Sequence, residues 1–176
     1  MIVPFLTAAA VIILDQISKY IVKTNMRLGE SFSFIKNILD IHYIENKGAS
    51  FGILKDQRWI FMILSSVALV FMATAVIYLG RKNVRKDNRL MTFALALMLG
   101  GGIGNMIDRF SNVSAAEPGV KAVVDFIEFA FVNFATFNVA DSFITIGSAL
   151  FGILMLTGKY RLKEPEEDKN RGETVS

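Results

Sequence analysis

Asp125 and Asp141 are the residues of this chain best suited to chemistry. Asp125 stands in Val123-Val124-Asp125-Phe126, and Asp141 in Phe137-Asn138-Val139-Ala140-Asp141. Both lie at or beside long apolar stretches. A carboxylate there is unfavourable, by about 2.5–3.5 kcal/mol at the centre of a bilayer helix and less near the interface. Two carboxyls near each other can share one proton. One then acts as general base on water while the other protonates or hydrogen-bonds a carbonyl. That is amide hydrolysis of the aspartic-protease type.

Each aspartate also has a local reading. Asn138 is placed to cap a helix with Asp141 three residues on, and negative charge is favoured at a helix N-terminus. For Asp141, capping and catalysis both stay open. Asp125 as a solvated loop residue fits less well, because Val123, Val124, Phe126 and Ile127 surround it in sequence. A carboxyl buried among such groups has a raised pKa.

Other chemistries are excluded by composition. With no cysteine there is no disulfide, thiolate metal site or cysteine nucleophile. The single histidine, His42, rules out a His-Glu-x-x-His zinc motif. A Ser-His-Asp triad would have to use His42, and no nucleophile motif accompanies it.

The elements that must carry the aspartates are membrane spans. The 176 residues are 53% hydrophobic, with a mean hydropathy of +0.46, which is too apolar for an ordinary soluble domain. A bilayer core of about 30 Å needs roughly 20 apolar helical residues. Such runs fall at about 2–22, 60–79, 90–107 and 138–157. The first lacks a basic leading region and carries Asp15 where a cleavage site would be expected, so it reads as a span and not as a cleaved signal peptide. The expected fold is an all-α polytopic membrane protein of four transmembrane helices, one domain over 1–162. Two outer loops, 24–58 and 109–137, supply a small extracytoplasmic β-sheet and a surface loop or helix.

Period-two alternation supports the sheet: Phe32 and Phe34 against Ser31 and Ser33, then Leu39, Ile41 and Tyr43 against Asp40 and His42. Asn46-Lys47-Gly48 is a turn signal. The second outer loop is polar at first and strongly apolar from Val120, as expected of a segment at or in the interface. Orientation follows from the density of Lys and Arg: Arg81, Lys82, Arg85, Lys86 and Arg89 crowd one short loop and the tail from Gly158 carries five more, whereas those on the opposite side are spread over two longer loops. The short loop and the tail are expected in the cytoplasm, with both termini. The charged tail 163–176 is expected to be disordered. The net charge of +3 is spread over loops, so no nucleic-acid surface is expected.

Asp15 and Lys19 are one helical turn apart, most simply a neutralising pair. Asp108 and Arg109 are adjacent, so each needs a separate partner, and structural pairing is the default. Gly100, Gly101, Gly102 and Gly104 read as close-packing positions between helices in lipid.

Together these pieces resemble the bacterial lipoprotein signal peptidase (signal peptidase II) family. The resemblance rests on Asp15-Gln16-x-Ser18-Lys19, Asn46-x-Gly48-Ala49-x-Phe51-Gly52, Gly100-Gly101-Gly102-Ile103-Gly104-Asn105-Met106-Ile107-Asp108-Arg109, Val123-Val124-Asp125-Phe126 and Phe137-Asn138-Val139-Ala140-Asp141-Ser142-Phe143-Ile144. The motifs occur in the family's order between about residues 13 and 147. The stretch 111–121 is longer than is usual there.

The resemblance implies an intramembrane aspartyl endopeptidase of the bacterial cytoplasmic (inner) membrane. It would remove signal peptides from prolipoproteins, cutting just before a diacylglyceryl-modified cysteine. The catalytic pair would be Asp125 and Asp141. Asp15, Lys19, Asn46, Gly48, Gly104, Asn105, Asp108, Arg109, Asn138 and Ala140 would support the site or line it. No cofactor or metal is implied. The partners would be the lipid bilayer and the diacylglyceryl prolipoprotein, with the protein a monomer. The rivals are a four-span transporter using the aspartates as proton relays, and a structural subunit in which they are caps.

Overall fold

The computed structural model describes residues 2–47, 58–81, 86–117 and 119–157. Gly48, residues 82–85 and the charged tail lie outside them. Among the described residues four helices are long and apolar enough to cross a membrane: α1 (Ile2–Asn25), α2 (Arg58–Arg81), α3 (Lys86–Ser111) and α4 (Val139–Leu156). At about 1.5 Å per residue, each approaches or exceeds the apolar thickness of a bilayer.

α3 is the hub. Some 67% of its span is buried, against 28%, 11% and 17% for α1, α2 and α4, which leave most of their apolar surface for lipid. The reason is local: its glycines let three neighbours approach. A Cβ at Gly100 would lie 2.7 Å from the Ala8 carbonyl of α1, and one at Gly102 would lie 2.6 Å from Leu69 of α2. At Gly101 it would collide with the Ala140 carbonyl of α4. This is small-residue packing of the kind that holds helices together in lipid. On α1 the buried residues are Ala8, Val11, Asp15, Lys19 and Val22, a helical stripe, so Asp15 and Lys19 turn inward. A core of Val76, Leu79, Met91, Leu95 and Leu154 joins α2, α3 and α4 at the opposite end from the sheet.

The sheet is three-stranded and antiparallel, in the order β1 (Ser31–Ile35), β2 (Leu39–Asn46) and β3 (Val123–Phe129). The alternating residues form two strands, as expected, and these are joined as a hairpin. Its turn closes through Ile38 N–H to the Ile35 carbonyl at 2.9 Å, with Asn37 at φ 61°, a left-handed conformation that asparagine tolerates. Asn46, read above as part of a turn, is instead the last residue of β2.

The apolar run after Val120 becomes β3. Its pattern hid the strand, because Val123 to Phe126 are all buried and show no alternation. Phe137 extends the pairing: its N–H reaches the Ile127 carbonyl, and its own carbonyl accepts from Phe126 and Ile127. Val22, Tyr43, Val124 and Phe126 form the core that fastens the sheet to the end of α1. α3 continues to Ser111, which places Asp108 and Arg109 within its last turns. Among the described residues, 112–122 forms a loop with no helix.

Candidate active site

Asp141 lies in the first turn of α4, in a capping box. Its N–H donates to Asn138 Oδ1 at 3.0 Å, and its carboxylate accepts the Asn138 N–H at 3.2 Å. Its other oxygen accepts from Asn105 Nδ2 at 2.7 Å. Asp125 sits in β3 and is 2% exposed. One oxygen accepts from Asn138 Nδ2 at 2.6 Å and the other from Asn46 Nδ2 at 3.0 Å. The register explains the second bond. Asn46 pairs with Val123, and side chains on a strand alternate, so Asn46 and Asp125 are diagonal neighbours on one face.

Asn138 joins the two aspartates. Its side chain caps α4 and, wholly buried, also donates toward Asn105 Oδ1, the Val124 carbonyl and Asp125. Two amide hydrogens face three acceptors, so one bond is shared; the shortest goes to Asp125. Phe137, paired with β3, delivers Asn138 to this position.

Behind the aspartates is a buried ionic cluster. Lys19 Nζ, 3% exposed, contacts Asp15 Oδ2 at 2.8 Å, Asp108 Oδ2 at 3.1 Å and Asn105 Oδ1 at 3.0 Å. An ammonium has three donors, and all are used. Asp15 Oδ1 accepts the Ala140 N–H at 3.0 Å, and Asp108 Oδ2 accepts the Val124 N–H at 3.1 Å. Gly104 makes room for this: a Cβ there would stand 2.5 Å from Asp15 Oδ2. Ala140 is fully buried, with its carbonyl against Gly101. No buried side-chain nitrogen or oxygen among the described residues lacks a partner.

The two aspartates open onto one cleft of about 520 Å³. Asn46 and Asp125 line one side, Asp141, Ser142, Thr145 and Ile146 of α4 another, and Phe129 with Phe134 to Phe137 the rest. Phe129 and Phe137 pack with ring centroids 5.2 Å apart, and Phe134 packs on both. The walls are therefore apolar and the floor carries the carboxyls. Burial, and then the charge of Asp141, push the Asp125 carboxyl up to about 7, against the opposing pull of the Asn46 and Asn138 donors and of Lys19.

Asp15, Lys19, Asn46, Gly104, Asn105, Asp108, Asn138 and Ala140 thus gather around Asp125 and Asp141. Arg109 is half-buried in the last turn of α3. Gln16 is a member that sequence reasoning did not single out. Its amide spans Asp15, the Gly104 carbonyl and Asp108 at 3.1–3.2 Å. A glutamine inside an apolar span is itself a usable signal. The aromatic wall had no such signal, because its residues read as ordinary apolar sequence.

Residues 7–157 match the family described as Signal peptidase (SPase) II. The lipoprotein signal peptidase of Brevibacillus brevis is 41% identical over 152 residues, covering 86% of this chain and 91% of that protein. The one from Geobacillus thermodenitrificans is 42% identical over 153 residues, covering 86% and 88%. Two solved structures, described as bacterial membrane enzymes determined by the in meso method at 2.3 Å and 1.9 Å resolution, superpose with TM-scores of 0.72 and 0.73. They are 34% and 35% identical, covering 94% and 89% of this chain and 94% of each of theirs. Four spans, a small sheet and this degree of likeness along nearly the whole length agree: the chain belongs to the lipoprotein signal peptidase (signal peptidase II) family.

Proposed function

We propose that the chain is an intramembrane aspartyl endopeptidase that removes signal peptides from diacylglyceryl-modified prolipoproteins. The observation that carries the reading is the pair Asp125 and Asp141, which face one apolar-walled cleft with Asp125 raised to about 7 beside the second carboxyl. A dyad needs one carboxyl protonated and one ionised.

Asp141 is the base. It stands in the first turn of α4, and its two oxygens accept from the Asn138 N–H and the Asn105 amide. Asp125 holds the shared proton more often. In the reaction Asp141 takes a proton from water as the water oxygen bonds the scissile carbonyl carbon, and Asp125 gives its proton to the carbonyl oxygen. Collapse of the tetrahedral adduct breaks the C–N bond. The leaving nitrogen takes the proton from Asp141, and Asp125 recovers its own from the adduct hydroxyl. The products are the signal peptide carboxylate and the free amine of the lipidated cysteine.

The cleft walls suit a substrate arriving from lipid. Acyl chains are as well accommodated in lipid as against these walls, so they act by anchoring and orienting the precursor at the cleft, and lipidation precedes cleavage. The placement is the bacterial inner membrane, with both termini and the α2–α3 connection in the cytoplasm and the sheet outside. The test is processing of a precursor with and without its diacylglycerol by wild type, Asp125→Asn and Asp141→Asn, with folding checked by melting. Loss in both variants, and preference for the lipidated form, are expected. Normal processing by either variant removes the dyad assignment.

A further inference from the structure

Asn46 holds one oxygen of Asp125, but Asn46 is the last residue of β2, where a strand end would ordinarily fray. Something must hold it. The next residue back, Glu45, is anchored on a loop contributed from far along the chain. Its Oε2 accepts from Ser114 Oγ at 2.6 Å and the Ala115 N–H at 3.0 Å. Its Oε1 accepts from the same N–H at 3.1 Å and from Tyr43 Oη at 3.2 Å. Lys47, on the other side of Asn46, pairs with Glu117 of the same loop.

The loop is itself secured. Asn112 Nδ2 donates to the Ala122 carbonyl at 2.6 Å, Ser114 N–H to the Val120 carbonyl at 2.7 Å, and Lys23 donates to Asn112 Oδ1. Ser114 is buried, and its hydroxyl also accepts from the N–H groups of Ala116 and Glu117. Partial burial pushes Glu45 up, but the Ser114, Ala115 and Tyr43 hydrogen bonds outweigh it, and the net shift is downward. The grip is therefore that of an anion.

We infer that Glu45 is a positioning residue: by gripping the 112–122 loop it fixes the end of β2 and so keeps the Asn46 amide on Asp125. The inference rests on the dyad reading above. It assigns a purpose to the longer stretch after α3, which becomes a brace for the site. Glu45 acts only through Asn46 and touches no reacting atom.

The effect is legible in pH dependence, because an amide donor to the Asp125 carboxylate favours its anion. The charged groups around Asp125 are Asp141 from α4, Lys19 from α1, Asp108 from α3 and, on β2 opposite Val124, Glu45 itself; losing the Glu45 charge alone would move the limb to lower pH, so a move to higher pH reports the loosened Asn46. Loosening Asn46 raises the proton affinity of the dyad and moves the alkaline limb of kcat/KM to higher pH.

The experiment measures kcat/KM against pH for full-length protein cleaving a diacylglyceryl-modified precursor peptide, in wild type, Glu45→Gln, Asn46→Ala and the double variant. Glu45→Gln is expected to lower kcat/KM about tenfold, the scale of one weakened charge-assisted hydrogen bond, and to move the alkaline limb in the same direction as Asn46→Ala. The double variant is expected to match Asn46→Ala alone. Ser114→Ala, a milder change to the same grip, follows the same pattern and serves if Glu45→Gln does not fold. A slower enzyme with an unmoved limb, or effects that multiply in the double variant, would make Glu45 merely structural and overturn the inference. If Asn46→Ala itself leaves the limb in place, the Asn46–Asp125 contact in the dyad reading fails as well, so the two failures are distinguishable.

Discussion

Asp15 and Asp108 hold the two cleft aspartates in the same way. Asp15, on α1, accepts the N–H of Ala140, one residue ahead of Asp141; Asp108, on α3, accepts the N–H of Val124, one residue ahead of Asp125. Lys19 grips both acceptors. One ammonium thus ties the start of α4 to β3.

Lys19→Met leaves two buried carboxylates without their cation. Breaking a buried pair from one side costs about 3–5 kcal/mol. The variant should melt well below wild type in detergent, and adding Asp15→Asn should recover part of the loss. A melt equal to wild type would mean that Lys19 does not hold the cluster together.

Asp125→Asn should abolish cleavage and raise stability at neutral pH. The folded-state carboxyl is pushed up from 3.8 to about 7, so its ionisation opposes folding. That penalty is absent below about pH 4, grows between about 4 and 7 and is constant above. The melting difference between Asp125→Asn and wild type should open over that window. A difference independent of pH would argue against a buried carboxyl with raised proton affinity.

Activity of the wild type should fall as pH rises through about 7 in kcat/KM, which reports the free enzyme. The value belongs to the pair and not to Asp125 alone. Flat activity from pH 6 to 9 would contradict shared-proton chemistry.

Gly101→Ala places a methyl against the backbone carbonyl of Ala140, which cannot swing aside. The strain is of the order of 1–3 kcal/mol and is delivered next to Asp141, so activity should fall with stability. Gly152→Ala meets nothing within 4 Å and should be neutral or gain about 0.5–1 kcal/mol from helix propensity. Equal melts for the two variants would show that the α3–α4 crossing is not tight at Gly101.

Topology is open to cysteine labelling, since the chain has no native cysteine. Ser33→Cys, exposed on the sheet, should react with an impermeant reagent from outside the membrane. Thr157→Cys, just past the end of α4, should react only after permeabilisation. The reverse pattern would invert the orientation.

The sequence alone determined the four spans and pointed to the two aspartates. Both are local quantities: a run of about 20 apolar residues must cross a bilayer whatever surrounds it, and a carboxylate among apolar neighbours is unfavourable enough to need a reason. The same locality explains what stayed hidden. Val123 to Phe126 of β3 carry no alternation because both faces are buried there, so only the ladder with β2 identifies the strand. Asn138 was legible as a cap, but its second task, donating to Asp125, depends on Phe137 pairing with Ile127. Asp15 and Lys19 were legible as a pair, yet their reach to Ala140 and Asn105 depends on glycines that let α1, α3 and α4 close. Asn46 meets Asp125 across 79 residues of chain, and Glu45 is braced by a loop 69 residues away. Such contacts are set by strand register and helix approach, which arise only when distant segments pack, so the tertiary structure decided them.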